Sequence, residues 1–209
     1  DGTEKLLLRL RDGALVATVI LPSTGQDGSV RLAQCVSSQI GCAMVCTFCS
    51  PGTTGFIRNM TAGEILSQVL VARMRLGDNR IDHPIIRTLV FMGMGEPLLN
   101  LRETTRALAM LNHAKGMALS PRRITVSTCG IKTGLRELGD SGLAFLAVSL
   151  HAPNQELRAK IMPKAANWHP DDLMATLESY PPQTREHHPS EFPLLGRVTG
   201  QPEHARDPA

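Results

Sequence analysis

Three cysteines are placed to do chemistry. Cys42, Cys46 and Cys49 stand as Cys-x3-Cys-x2-Cys, with the aromatic Phe48 immediately before the last of them. Three thiolates can hold three irons of a cubane iron–sulfur cluster and leave the fourth iron open, whereas an electron-transfer cluster usually takes four cysteines. An open iron can bind and reduce a substrate. Cys35 stands seven positions before Cys42, and Cys129 lies far downstream. The four clustered cysteines could instead make a structural zinc site, but zinc prefers ligands in short pairs, and six residues separate Cys35 from Cys42. Taken singly, Cys35 reads as a buried strand cysteine and Cys129 as structural. Four cysteines inside residues 35 to 49 are too crowded for an ordinary disulfide framework in a chain of 209 residues.

The surrounding pattern predicts the elements that hold such a loop. Leu6 to Leu10 and Ala14 to Leu21 are apolar, β-prone runs separated by Arg11-Asp12-Gly13, and Asp-Gly is a strong hairpin signal. Residues 22 to 29 and then 35 to 55 read as loops, the second wrapping the cysteines. Thr61 with Glu64 fits a capping box, and Ile65, Leu66, Val69, Leu70 and Met74 continue at helical spacing. Ile86 to Met92 is a nearly continuous apolar run, as in a fully buried strand, and stops at Gly93-Met94-Gly95-Glu96-Pro97. Asn100 with Glu103 should cap a helix running towards Lys115. A strand from Arg123 to Ser127, a helix from Lys132 to Leu138 and a strand from Leu143 to Leu150 follow. Repeated βα units of this spacing predict an α/β fold: a parallel sheet with helices outside it, open or curled into a partial (β/α) barrel, with ligands at the carboxyl ends of the strands. After Pro181 prolines break up the pattern, and only Phe192 to Leu195 could be a strand.

Composition narrows the class. An apolar share of 42% suits one globular core, and a formal net charge of +3 allows a local basic face for phosphates without being a polybasic footprint. No apolar run approaches the roughly 20 residues that span a bilayer, and the first residues do not form a signal peptide. The expectation is a soluble, cytoplasmic protein without membrane contact.

Several segments resemble the RlmN and Cfr family of radical S-adenosylmethionine (SAM) RNA adenine methyltransferases almost position for position. They are residues 35 to 50, continuing to Gly55-Phe56 and Arg58-Asn59, with residues 91 to 100, 124 to 128 and 146 to 152. The resemblance covers about residues 1 to 180. It implies an N-terminal β-hairpin extension over residues 1–34, a radical SAM core of partial-barrel type over 35–180, and a divergent or truncated tail over 181–209. It also implies a 4Fe-4S cluster on Cys42, Cys46 and Cys49, whose open iron chelates the methionine end of SAM and cleaves it to a deoxyadenosyl radical. The implied substrates are adenosines of 23S rRNA and tRNA, methylated at C2. An external electron donor such as flavodoxin and a monomeric state belong to the same picture.

The resemblance assigns further roles that residue chemistry can support. Gly95 lets a backbone approach the cofactor, and Glu96 can accept from the SAM amino group. Ser127 would reach ribose or methionine polar atoms, and Ser149, Leu150 and His151 would complete the pocket wall. Each has a plainer reading, as a strand-ending turn, a helix cap or a satisfied core histidine. Three such sites at successive strand ends would nevertheless face one cavity. Cys35 takes the part of the cysteine that resolves, through a disulfide, a covalent link between a second, distant cysteine and the RNA base.

The chain departs from the family in two places. Ala17 stands where the RlmN branch commonly has a proton-accepting Glu, so Ala17 is not a catalytic candidate. The methyl-carrying cysteine and a SAM-contacting asparagine fall beyond the stretch written here as Gln201 to Arg206, and no cysteine follows Cys129. Pro189, Ser190 and Pro193 fall where an inner strand is expected. The expectation is a chain truncated at both ends, lacking the small N-terminal RNA-binding domain and inactive in methyl transfer as given. Two alternatives stay open: a radical SAM enzyme of another reaction class, and a metal-stabilised RNA-binding module without chemistry.

Overall fold

The computed structural model describes residues 2–24, 28–79, 84–181, 190 and 191. The chain opens with β1 (Glu4–Arg9) and β2 (Leu15–Thr24), antiparallel and in continuous register from Glu4 opposite Ile20 to Arg9 opposite Leu15. The turn sits where Asp12-Gly13 predicts it: the Ala14 N–H donates to Asp12 Oδ1, and Gly13 takes a φ of 87°. β2 outruns the apolar pattern by three residues into the expected loop, because it pairs there with β3 (Val30–Cys35). β3 lies between β2 and β6 (Ile86–Phe91), antiparallel to the first and parallel to the second.

Within the cysteine segment, β4 (Gln39–Gly41) pairs with β5 (Phe56–Asn59) in a separate two-stranded ribbon, and α1 (Ser50–Thr53) is a single turn. The segment expected as loop is therefore braced at its root. α2 (Ala62–Arg75) opens on the expected capping box, with Glu64 N–H donating to Thr61 Oγ1 and Thr61 N–H to Glu64 Oε2. α3 (Leu101–Asn112) ends three residues before Lys115, and Asn100 caps nothing with its side chain. Asn100 Nδ2 instead donates to the Ser38 and Met60 carbonyls at 2.7 and 2.8 Å, tying α3 to the cysteine segment.

β7 (Ile124–Thr128), α4 (Lys132–Ser141) and β8 (Phe145–Ser149) follow as predicted to within a few residues. α5 (Gln155–Ile161) and α6 (Pro170–Glu178) complete the described helices. β9 (Ser190–Glu191) pairs in parallel with β8, so a strand begins beside Pro189, before the position expected. Phe192 to Leu195 and Gln201 to Arg206 lie outside the described residues. The main sheet has the order β1-β2-β3-β6-β7-β8-β9 and is parallel from β3 onwards. This is the α/β partial barrel expected, with the hairpin as a continuation of the same sheet. Its core is buried Leu89, Phe91, Ile124, Val126, Leu146 and Val148 from the strands against Ile65, Leu108 and Leu135 from the helices. No described helix is long and apolar enough to cross a membrane.

Candidate functional site

The cysteine loop is held by backbone bonds on three sides. The Cys42 N–H donates to the Gly55 carbonyl at 3.0 Å, the Cys49 N–H to Cys46 at 3.2 Å, and the Thr47 N–H to Ile161 of α5 at 2.9 Å. Gly41, next to Cys42, has a φ of 74° and packs so closely on the Gly55 carbonyl that a side chain there would overlap it. Val45 sits at φ 54°, an outlier for a β-branched residue, in the three residues that separate Cys42 from Cys46. Such strain persists only where the surroundings over-determine it.

The strand ends meet this loop. After β6, the Met94 N–H donates to Ser37 Oγ at 2.9 Å, and Gly95, at φ 97°, packs against Gln39 where a Cβ would collide. Glu96 is 4% exposed; one carboxylate oxygen accepts from the Leu98 N–H at 3.0 Å and the other from the Cys129 N–H at 2.9 Å. After β7 and β8, the Ser127 and Ser149 hydroxyls lie 3.1 Å apart. His151 has a φ of 63°, and its ring meets that of Phe48 edge-on, with centroids 5.1 Å apart.

The cysteine loop and the strand ends together line one open pocket of about 170 Å³. The thiols of Cys42, Cys46 and Cys49 share it with Gly95, Glu96, Ser127, Ser149 and His151. Larger cavities of about 520 and 730 Å³ lie beside Lys132 and Arg136 and along β1 and α2, but neither is lined by a cysteine. Chemistry, not volume, selects the site.

Two expected site residues stand apart. Leu150 does not line the pocket; its N–H donates to the Val148 carbonyl and its own carbonyl accepts from Arg158 Nε. Cys35 is likewise absent from the lining, and its β3 register places it beside Val19 and Val90. The four-cysteine zinc site is therefore not assembled. Among the described residues no three His, Cys, Asp or Glu side chains converge on a single ion. A cubane spreads its thiolates over separate irons, so its ligands surround a volume instead. None of the five cysteines, all of them described, forms a disulfide. The disulfide that the resemblance implies for Cys35 is thus not present.

Sequence reasoning missed two contributors. Cys129, read as structural, lines the pocket, and Arg158 anchors its rear. A lone cysteine and one arginine among 22 basic residues gave no local signal.

Burial dominates the electrostatics. It pushes the Cys42 thiol up, and burial with the neighbouring Cys42 raises Cys46 to about 12. Burial raises Cys129 well above the ordinary thiol value and also raises Glu96, while it lowers Arg158. Without metal, Cys42 and Cys46 keep their protons, and metal binding must displace them. Three thiols, apolar Met44, Phe91 and Met162, and a carboxylate with two hydroxyls in one lining fit an iron–sulfur cluster together with a polar ligand.

The sequence profile of the radical SAM superfamily matches residues 36–180. The "Dual-specificity RNA methyltransferase RlmN" of Nitratidesulfovibrio vulgaris strain DP4 is 68% identical over 99% of this chain, and the same-named protein of Lawsonia intracellularis is 60% identical over 99%. The chain spans 57% and 58% of the length of these relatives. Among solved structures, a radical SAM methyltransferase from Sphaerobacter thermophilus superposes with a TM-score of 0.87 at 36% identity, over 98% of this chain and 58% of that one. The chain belongs to the radical SAM superfamily, and over nearly its whole length it is similar to RlmN proteins.

Proposed function

We propose that these residues form the cluster- and SAM-binding core of an RNA methyltransferase that acts on adenosine C2 in 23S rRNA and tRNA. The observation that carries the reading is the convergence of three cluster-spaced thiols with Glu96, Ser127 and Ser149 in one pocket. When bound, the cluster supplies the electron that cleaves SAM to methionine and a deoxyadenosyl radical. Cys42, Cys46 and Cys49 hold it. Glu96, held by the Leu98 and Cys129 N–H groups and bonded also by the Thr128 and Cys129 side chains, offers its carboxylate to the SAM ammonium. The Ser127 and Ser149 hydroxyls meet the ribose or methionine polar atoms, and Met44, Phe91 and Met162 exclude water around the thiols. His151, fixed by Phe48, closes the wall.

The division into an extension (1–34), a core (35–180) and a tail (181–209) belongs to this proposal. So do the roles of Cys35 as resolving cysteine and of an external electron donor such as flavodoxin, a monomeric state and a cytoplasmic setting. The test is anaerobic incubation of the reconstituted chain with reductant, ribosomal or transfer RNA, and SAM carrying a labelled methyl group. The expected products are methionine and 5′-deoxyadenosine. The resemblance places the methyl-carrying cysteine outside these 209 residues, so in an assay of these residues alone no label is expected on adenosine. Label on adenosine would overturn the carrier-cysteine chemistry, and absence of SAM cleavage would overturn the core reading.

A further inference from the structure

Arg158 is 0% exposed, yet no carboxylate pairs with it among the described residues. Its guanidinium spends four N–H groups on carbonyls: Nε on Leu150 at 3.2 Å, Nη1 on Ala165 at 2.8 Å and Trp168 at 3.0 Å, and Nη2 on Cys129 at 2.6 Å. A cation taken out of water and met only by neutral dipoles is costly unless an anion lies nearby. The surroundings name the candidate. Arg158 sits one turn before Ile161 on α5, and Ile161 is the residue whose carbonyl receives the Thr47 N–H from inside the cysteine loop. Through Cys129 it contacts a residue that lines the pocket together with Cys42, Cys46 and Cys49. The ionisable groups that would favour its charge are Cys129 and Cys46.

We infer that Arg158 is the buried counter-charge of the iron–sulfur cluster: it fastens the ends of β7 and β8 behind the thiols and makes the cluster easier to reduce. This rests on the reading that the three cysteines hold a cluster. A cubane core on three thiolates is an anion, and uptake of one electron adds one negative charge without forming or breaking a bond within it. A fixed positive charge nearby stabilises the reduced form more than the oxidised one, and more strongly in a low-dielectric pocket than in water. Arg158 touches no reacting atom; it is a positioning and charge-balancing residue.

The experiment reconstitutes the parent chain, Arg158→Lys and Arg158→Gln anaerobically with iron and sulfide. It then measures iron content and, with dithionite and redox mediators, the midpoint potential. Both substitutions lose the guanidinium fork, but only the glutamine loses the charge. The expected result is a cluster in all three, with the lysine variant close to the parent. The glutamine variant should be at least tenfold harder to reduce, which is 59 mV for one electron. If the glutamine variant does not fold while the lysine variant folds with the parent's potential, the charge requirement stands. Equal shifts in both variants, no shift in the glutamine variant, or failure of both to fold would assign Arg158 to loop geometry alone and overturn the inference. A parent chain that takes up no iron would sink the cluster reading itself, and is recognised before any variant is compared.

Discussion

The leading hairpin and the strand-end pocket belong to one sheet but obey different rules. In β1 and β2 side chains alternate, with Val16, Thr18 and Ile20 buried and Leu7 63% exposed, and the turn residue with positive φ is a glycine. At the other end the local rules are broken together. Glu96 and Arg158 are buried charges, Cys42 and Cys129 are buried thiols, and Val45 and His151 hold a backbone conformation that favours glycine. Where a chain departs from its own local preferences in several ways at one place, the departures mark a functional site more sharply than any one residue type.

The difference can be pressed by mutation. Cys46→Ala should abolish iron retention after anaerobic reconstitution, whereas Leu7→Ala should leave iron content at the parental level. Retention of a full iron complement by the alanine variant would separate the thiols from the metal. Next in size, Glu96→Ala strands the N–H groups of Leu98 and Cys129, each costing about 1–3 kcal/mol, so urea unfolding of the metal-free chain should show a loss of about 2–6 kcal/mol. In cluster-loaded protein the same variant should bind SAM about ten- to a hundredfold more weakly in calorimetry, as expected for a charged acceptor worth about 1.5–3 kcal/mol. Unchanged affinity would move SAM away from β6.

A pH series probes the thiols without metal. Cys46 has a folded value of about 12 against an ordinary 9.0, so its neutral form is favoured in the folded state. That contribution is intact below pH 9.0 and is lost as the pH rises towards 12. Chemical denaturation from pH 8 upward should show stability falling more steeply for the parent than for Cys46→Ser; parallel curves would argue against the buried thiol. The smallest effects come from backbone and surface. Val45→Gly relieves about 1–2 kcal/mol of left-handed strain against about 0.5–1 kcal/mol of added chain entropy, a net gain of up to about 1.5 kcal/mol. Leu7→Ala should stay within about 0.5 kcal/mol of the parent in thermal unfolding.

The same contrast decides what could be read from the sequence. The hairpin turn, the Thr61–Glu64 box and strands β6, β7 and β8 are local patterns, and they appear close to where periodicity and turn chemistry put them. β3 escaped because its residues do not alternate cleanly; it exists through pairing with β2 and with β6, which is more than 50 residues later. The ribbon of β4 and β5 is three and four residues long, below what a pattern can show. Asn100 looked like a helix cap but spends its amide on Ser38 and Met60, a tertiary bond that overrides the local preference. That Cys42, Cys46 and Cys49 share one pocket follows from their spacing. Cys129 and Arg158 were not legible, because their significance comes from the elements that fold around them.

Electron paramagnetic resonance of the anaerobically reconstituted, dithionite-reduced chain, recorded before and after addition of SAM, interrogates the pocket most directly. If Cys42, Cys46 and Cys49 hold a cluster whose open iron faces Glu96, Ser127 and Ser149, the reduced chain gives an iron–sulfur signal and SAM changes its shape. A chain that retains zinc in place of iron, or an iron–sulfur signal indifferent to SAM, would contradict the shared site.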